Sequence, residues 1–121
     1  MNTEKVLNKL KTNFYKRFDN NDELGFLDLS TLNHALCLEI AEGTFGNKPL
    51  SYEDLCHHLP RKIGSRSSIL NTLNTAVSKG YFIKESVNYD KRVKIYKLSL
   101  SFQKTIIDWL NNIKEVTSEL K

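Results

Sequence analysis

The fold is decided by the stretch SRSSILNTLNTAVSKGYFIKE, residues 65–85 of the chain. Its first part carries apolar residues at the spacing of one helix face: Ile69, Leu73, Ala76 and Val77. Serine is favoured at the N-cap of a helix, and glycine is common just after the last turn. The pattern therefore predicts a helix over residues 65–79 that Ser65 or Ser67 caps and that Gly80 ends.

Beyond this helix the composition changes to that of a β-hairpin. Residues 81–87 and 93–98 are rich in β-branched and aromatic side chains, which favour strands. Between them the sequence Asn-Tyr-Asp-Lys-Arg at 88–92 is a polar tip with two cations, Lys91 and Arg92. We therefore expect two strands joined by a positively charged turn.

A short helix and a turn precede residue 65. Ser51 is a candidate N-cap, and Leu50 and Leu55 have the spacing of a hydrophobic staple. Pro60 cannot continue a helix, so this one ends just before it. The basic segment Pro-Arg-Lys-Ile-Gly at 60–64 then forms the turn between two helices.

Longer helices are predicted nearer the ends of the chain, from apolar residues at steps of three and four. They cover residues 3–19, 30–42 and 101–120. The stripe of the middle helix comprises Leu29, Leu32, Leu36 and Ile40. Helix-breaking residues at 19–22, a connection containing Gly25, and a loop at 43–49 separate these elements.

Together the elements predict one domain over residues 1–121, mainly α with a small β-ribbon (an α+β fold). Its core, residues 28–99, has the order helix, short helix, turn, helix and hairpin, which is a winged helix-turn-helix. The apolar stripe of the last helix, which contains Trp109, either packs on the chain's own core or pairs with a second copy. Because a similar helix lies at the N-terminus, a homodimer built from helices 3–19 and 101–120 is favoured.

The composition is that of an ordinary folded protein. The 121 residues are 40% hydrophobic and 26% charged, which excludes a disordered tail, a collagen-like chain and a disulfide scaffold. An apolar run of about 18 residues, as a membrane span needs, does not occur, and the first residues do not resemble an export signal. Two cysteines, Cys37 and Cys56, fit a reducing compartment, so a cytoplasmic location is expected.

Positive charge is concentrated around the predicted helix and hairpin. Residues 61–97 hold nine basic residues against Glu85 and Asp90, a net charge of +7. The whole chain carries +4, which leaves −3 for the rest. A basic segment in an otherwise mildly acidic protein favours a polyanionic partner, although a solvated lysine-rich face has the same composition.

The motifs resemble those of the MarR family of bacterial transcriptional regulators. The matching segments are LCHHL at 55–59, the stretch at 65–85 and NYDKRVKIYKLS at 88–99. The resemblance implies a dimeric winged-helix protein that binds double-stranded DNA and regulates transcription. The flanking helices lie where that family keeps its dimerisation helices. The chain is shorter than most members, and no residue in it indicates a small-molecule effector.

Helical phase assigns candidate DNA contacts, because an α-helix fits the major groove and a cationic hairpin tip reaches the backbone or minor groove. The face opposite the core offers side chains for base edges (Arg66, Leu70, Asn71 and Asn74) and hydroxyls for phosphates (Ser65, Ser67 and Ser68). Arg66 suits either a guanine or a phosphate. Five further cations suit phosphate neutralisation: Arg61, Lys62, Lys91, Arg92 and Lys94.

Other functions have weaker support in the sequence. His34 and Cys37, with the Cys-His-His run at 56–58, match no zinc-finger spacing, so no metal or other cofactor is expected. A phosphate loop and a nucleophile elbow are both missing, which argues against an enzyme. Two alternatives to a sequence-specific regulator remain: a winged-helix module for protein–protein contact, and a non-specific architectural DNA-binding protein.

Overall fold

The computed structural model describes residues 2–17, 22–118 and 120. In this part of the chain we number six helices and three strands in sequence order. They are α1 (Thr3–Lys16), α2 (Asp22–Leu27), α3 (Thr31–Phe45), β1 (Leu50–Ser51), α4 (Tyr52–His58), α5 (Arg66–Ser78), β2 (Phe82–Ser86), β3 (Lys94–Leu98) and α6 (Leu100–Thr117). The predicted α+β winged helix-turn-helix is confirmed.

Local capping explains where the helices of the core begin. Ser51 accepts a hydrogen bond from the backbone of Asp54, whose carboxylate accepts one from the backbone of Ser51, so α4 starts with a capping box. Ser65 and Ser99 cap α5 and α6 in the same manner, each accepting from a backbone N–H three residues later. At the other end of α5, Gly80 adopts φ 77°, the left-handed conformation expected after a helix.

The sheet contains one strand more than the sequence predicted. Strands β2 and β3 form the expected antiparallel hairpin, with Phe82 opposite Leu98 and Ser86 opposite Lys94. On the other side of β3 lies β1, which pairs Leu50 with Tyr96. A strand of two residues has no period to detect, so the predicted two-stranded ribbon is a three-stranded sheet of order β1-β3-β2.

Helix α3 extends into the segment predicted as a loop. The prediction of a loop over residues 43–49 is wrong in its first part, because α3 continues to Phe45. Gly43 is buried, and a Cβ there would lie 2.8 Å from the carbonyl oxygen of Lys48. This glycine is therefore required for the close approach of two backbone segments and does not break the helix.

Other boundaries also differ from expectation. Gly25, predicted in a connection, lies within α2. Leu29, predicted in the buried stripe of α3, is 74% exposed because it precedes the N-cap of that helix. Helix α1 ends at Lys16 rather than residue 19, while the breakers at 19–21 lie outside the described residues. Helix α6 covers Leu100–Thr117 rather than 101–120, and Leu110 on its predicted apolar side is half exposed.

Helices α2 through α6 and the sheet share one hydrophobic core. Phe82 of β2 lies at its centre, with ring centroids 5.9 Å from Phe26 of α2 and 6.1 Å from Phe102 of α6. The fully buried Leu73 fixes α5 to the same core. None of the described helices combines the length and apolar composition that crossing a membrane requires.

The hairpin is also tied to α3 by a single hydroxyl. Thr44 donates a hydrogen bond to the carbonyl of Ile40 at 2.7 Å and accepts one from the backbone N–H of Leu98 at 3.0 Å. Leu98 is the last residue of β3, so the base of the hairpin is fixed to the helix that carries much of the core.

Candidate nucleic-acid interface

Helix α5 divides cleanly into a buried and an exposed face. Ile69, Leu73 and Ala76 are buried, as the sequence predicted, and Val77 is half-buried. The side chains assigned to DNA on this helix are all exposed: Arg66, Ser67, Ser68, Leu70, Asn71 and Asn74. Because the core fixes one face, the other is presented to solvent as a continuous polar surface.

Three serines cluster at the N-terminus of α5. The hydroxyl of Ser65 lies 3.2 Å from that of Ser67 and donates to that of Ser68 at 3.0 Å. The first backbone N–H groups of a helix lack partners within it and favour anions. Exposed hydroxyls beside such a helix start suit a phosphate contact, which is the role that the sequence predicted for them.

Arg66 is held by two residues that the sequence did not identify. Its Nη2 forms a short ion pair with the carboxylate of Glu53, and its guanidinium lies 5.4 Å from the ring centroid of Tyr52. The hydroxyl of Tyr52 donates to the carbonyl of Arg66 at 2.9 Å. The hydrogen bond from Arg66 lowers the pKa of the Glu53 carboxyl and raises that of Arg66 itself. The local sequence gives no signal of this cluster, since it requires the crossing of α4 and α5.

The hairpin tip, which we call the wing tip (residues 87–93), is organised by Asp90. Its Oδ1 accepts the backbone N–H of Arg92 at 2.9 Å and the Nε of Arg92 at 3.2 Å, while Oδ2 accepts Nη2 at 3.3 Å. The Arg92 side chain nevertheless remains almost fully exposed. Asp90 thus orients the cation without covering it.

We expect the carboxyl of Asp90 to titrate with a pKa below the ordinary value of about 4, because Arg92 donates side-chain and backbone hydrogen bonds to the ionised form. Its folded pKa is lower than its unfolded one, so this contribution to the wing tip is complete at neutral pH and is lost as pH falls below about 4. NMR titration of the Asp90 carboxyl measures the value. In Arg92→Gln the pKa rises toward normal, and equal values in both proteins would contradict the assigned contact.

The remaining cations differ in how they are engaged. Lys94, half-buried at the start of β3, donates to the hydroxyl of Ser86 opposite it, and Lys97 pairs with Glu85 at 3.1 Å. Arg61, Lys62 and Lys91 are exposed and form no ion pair within the described ranges. These three cations, together with the exposed Arg92, are therefore available at the turn before α5 and at the wing tip.

Neither cysteine is placed for metal binding. Within residues 2–17, 22–118 and 120, no group of three potential ligands is close enough to hold a metal. Burial raises the pKa of Cys37 to about 12, so its thiol stays protonated and unreactive. His34 makes an edge contact with Trp109 instead of forming a ligand pair with Cys37.

Helices α1 and α6 carry apolar side chains that their own contacts do not cover. Val6 is the buried residue of α1, while Leu7, Leu10 and Phe14 are between 43% and 57% exposed. On α6, Ile107 and Leu110 are exposed to a similar degree, although Trp109 is buried. The two helices contact each other, and together they leave several large apolar side chains exposed, which we call the apolar surface of α1 and α6.

Comparison with known proteins yields structural neighbours only. No family model matches the chain, and no curated protein does. Among solved structures, the heme sensor protein PefR from Streptococcus agalactiae aligns with TM-score 0.61 and 16% identity, over 95% of this chain and 73% of that one. The transcriptional regulator BldR from Sulfolobus solfataricus aligns with TM-score 0.52 and 18% identity, over 98% and 87%.

A third neighbour is the reduced form of MarR from E. coli, with TM-score 0.52 and 17% identity over 93% of this chain and 82% of that one. Identities this low are evidence of a shared fold and of nothing finer. The resemblance noted in the sequence is confirmed at that level: the chain has the winged-helix fold of MarR-type transcriptional regulators.

Proposed function

We propose that the protein is a homodimeric, sequence-specific DNA-binding regulator of transcription. The observation that carries the proposal is the exposed polar face of α5, fixed from behind by Ile69, Leu73 and Ala76. A helix presented in this way fits the major groove, and its amide side chains can pair with base edges. Asn71 and Asn74, both exposed, take that role for adenine.

The cations near α5 supply affinity without specificity. Arg61 and Lys62 at the turn, and Lys91 and Arg92 at the wing tip, neutralise phosphates on either side of the contacted groove. Lys94 lies farther from the wing tip and is half-buried, so it contributes to DNA affinity mainly through the positive electrostatic potential of the basic segment. Each neutralised phosphate releases counterions, so affinity falls steeply as salt rises.

A dimer follows from the uncovered apolar surface of α1 and α6. Pairing of two copies about a two-fold axis through this surface would bury the exposed Leu7, Leu10 and Leu110, and the proposal requires that both α5 helices then contact one duplex. Two-fold dimers of this kind bind half-sites about one helical turn apart. A palindromic site is therefore expected.

Selection from a random duplex library, with wild type, Asn71→Ala and Arg92→Ala, tests the proposal. Wild type is expected to recover a palindrome. Asn71→Ala is expected to lose about 1–3 kcal/mol of discrimination at one position of each half-site. Arg92→Ala is expected to weaken all sequences alike and to reduce the salt slope by about one. Lys48→Ala, which removes an exposed cation outside both the DNA-facing segments and the dimer surface, is the matched control.

The other outcomes identify the alternatives. Salt-dependent binding without a recovered sequence indicates an architectural DNA-binding protein. Binding that is negligible even at low salt indicates a module for protein–protein contact. If Asn71→Ala selects the wild-type sequence, the assignment of the reading face on α5 is wrong.

A further inference from the structure

At the start of α5, the side chain of Arg66 is restricted by contacts with two residues of α4. Arg66 and Glu53 are both more than half exposed, yet the guanidinium is bonded to the carboxylate on one side and lies against the Tyr52 ring on its face. Tyr52 is itself anchored, because its hydroxyl donates to the Arg66 carbonyl at 2.9 Å. These two contacts therefore restrict where the guanidinium lies.

This arrangement leaves much of the arginine available. A guanidinium has five donors, and the described contact with Glu53 uses Nη2. Nη2 carries two hydrogens and belongs to both two-donor edges of the guanidinium, so one such edge is left for another partner. Two acceptors side by side, such as O6 and N7 of guanine, match such an edge.

The carboxylate also determines which DNA group is excluded. Glu53 lies at the exposed N-terminal end of α4, and the hydrogen bond from Arg66 lowers the pKa of its carboxyl and so favours the charged form. A phosphate brought to Arg66 would approach this negative charge and be repelled, whereas a neutral base edge would not. The pair therefore favours a base over the backbone as the partner of Arg66.

We propose that Glu53 is a positioning residue that, together with Tyr52, holds Arg66 for a directional contact with a guanine edge. The proposal rests on the DNA-binding function proposed above and specifies one base position of the site. Arg66 is the contacting residue, and Glu53 acts through it.

The ion pair is too exposed to matter much for folding. Surface pairs of this kind contribute little to stability, so variants at Glu53 are expected to fold. Thermal unfolding of each variant checks this expectation. If the unfolding temperature is unchanged, a change in DNA preference comes from the side chains that contact DNA and not from loss of the fold.

The experiment compares wild type and variants by library selection and by titration with selected and random duplexes. Arg66→Ala identifies the position at which guanine preference is lost. Glu53→Ala is expected to lower guanine preference at that same position about three- to tenfold, in the range of couplings between contacting residues. It is also expected to raise affinity for random DNA, since a negative charge is removed. Glu42→Ala, which removes an exposed carboxylate from α3, is the charge control.

A conservative variant separates positioning from charge. Glu53→Gln keeps an oxygen that accepts from Arg66 but loses the charge, so it should restore part of the guanine preference while random-DNA affinity stays raised. The double variant Glu53→Ala/Arg66→Ala should lose no more preference than Arg66→Ala alone.

The outcomes separate this proposal from the proposed function. If wild type recovers no sequence, the regulator hypothesis fails, and the positioning role fails with it. If wild type recovers a site and Arg66→Ala loses guanine at one position, but Glu53→Ala keeps it, the positioning role alone is overturned. The same holds if Arg66→Ala weakens all sequences equally, because Arg66 is then a phosphate contact.

Discussion

Replacing Leu73 by alanine is expected to lower the free energy of unfolding by about 2–5 kcal/mol. Leu73 is fully buried in the middle of α5, where it packs into the core that holds the helix against α3 and α4. Truncation removes buried apolar surface and leaves a cavity that the surrounding residues fill incompletely. Because small domains have about 5–15 kcal/mol of stability in total, the loss is a large share of it. Urea denaturation measures the change.

Leu70→Ala is the matched control for this prediction. Leu70 lies about one turn earlier, at the border of the exposed face of the same helix, and is 39% exposed, so its truncation should cost under about 1 kcal/mol. Comparable losses for the two variants would mean that the buried and exposed faces of α5 are assigned wrongly. Under the proposed function, Leu70→Ala instead alters contacts with thymine methyl groups.

The second large effect is expected from a charge placed in the uncovered apolar surface. Leu110→Glu should convert the proposed dimer to a monomer, because Leu110 is 52% exposed in the single chain and becomes buried when two copies pair. An unpaired buried carboxylate costs several kcal/mol. Sedimentation at micromolar concentration measures the assembly, and affinity for the palindromic duplex should fall about a hundredfold or more, since each half-site is then bound separately.

Leu38→Glu tests whether any exposed leucine would have the same effect. Leu38 is exposed on α3 and is not part of the surface proposed on α1 and α6, so this variant should remain dimeric with near-wild-type affinity. If the wild-type protein sediments as a monomer, the proposed dimer is contradicted. A dimer that survives Leu110→Glu would place the interface elsewhere on the chain.

The predictable parts of this fold are those fixed by residues close together in sequence. An N-cap depends on a side chain and a backbone N–H three residues apart, so the caps at Ser51 and Ser65 were visible in the sequence. The hairpin was visible for a similar reason, because its two strands flank one polar turn. The exposed face of α5 followed from helical phase alone.

The parts that sequence reasoning missed depend on contacts between distant residues. Gly43 looked like a helix breaker, and its role depends on the Lys48 backbone across the bend after α3. Strand β1 exists because β3 offers a free edge to Leu50 and Ser51. The sequence does not indicate that Glu53 contacts Arg66, because the two residues are thirteen positions apart.

The hydroxyl of Thr44 has a mechanical consequence for how the protein would meet a duplex. Since β3 is secured to α3 at Leu98, and β2 is paired with β3 along its whole length, adjustment of the hairpin is confined to residues 87–93. The distance between the exposed amides of α5 and the base of the hairpin is then fixed. Fitting to a groove of different width would require the DNA, rather than the protein, to deform.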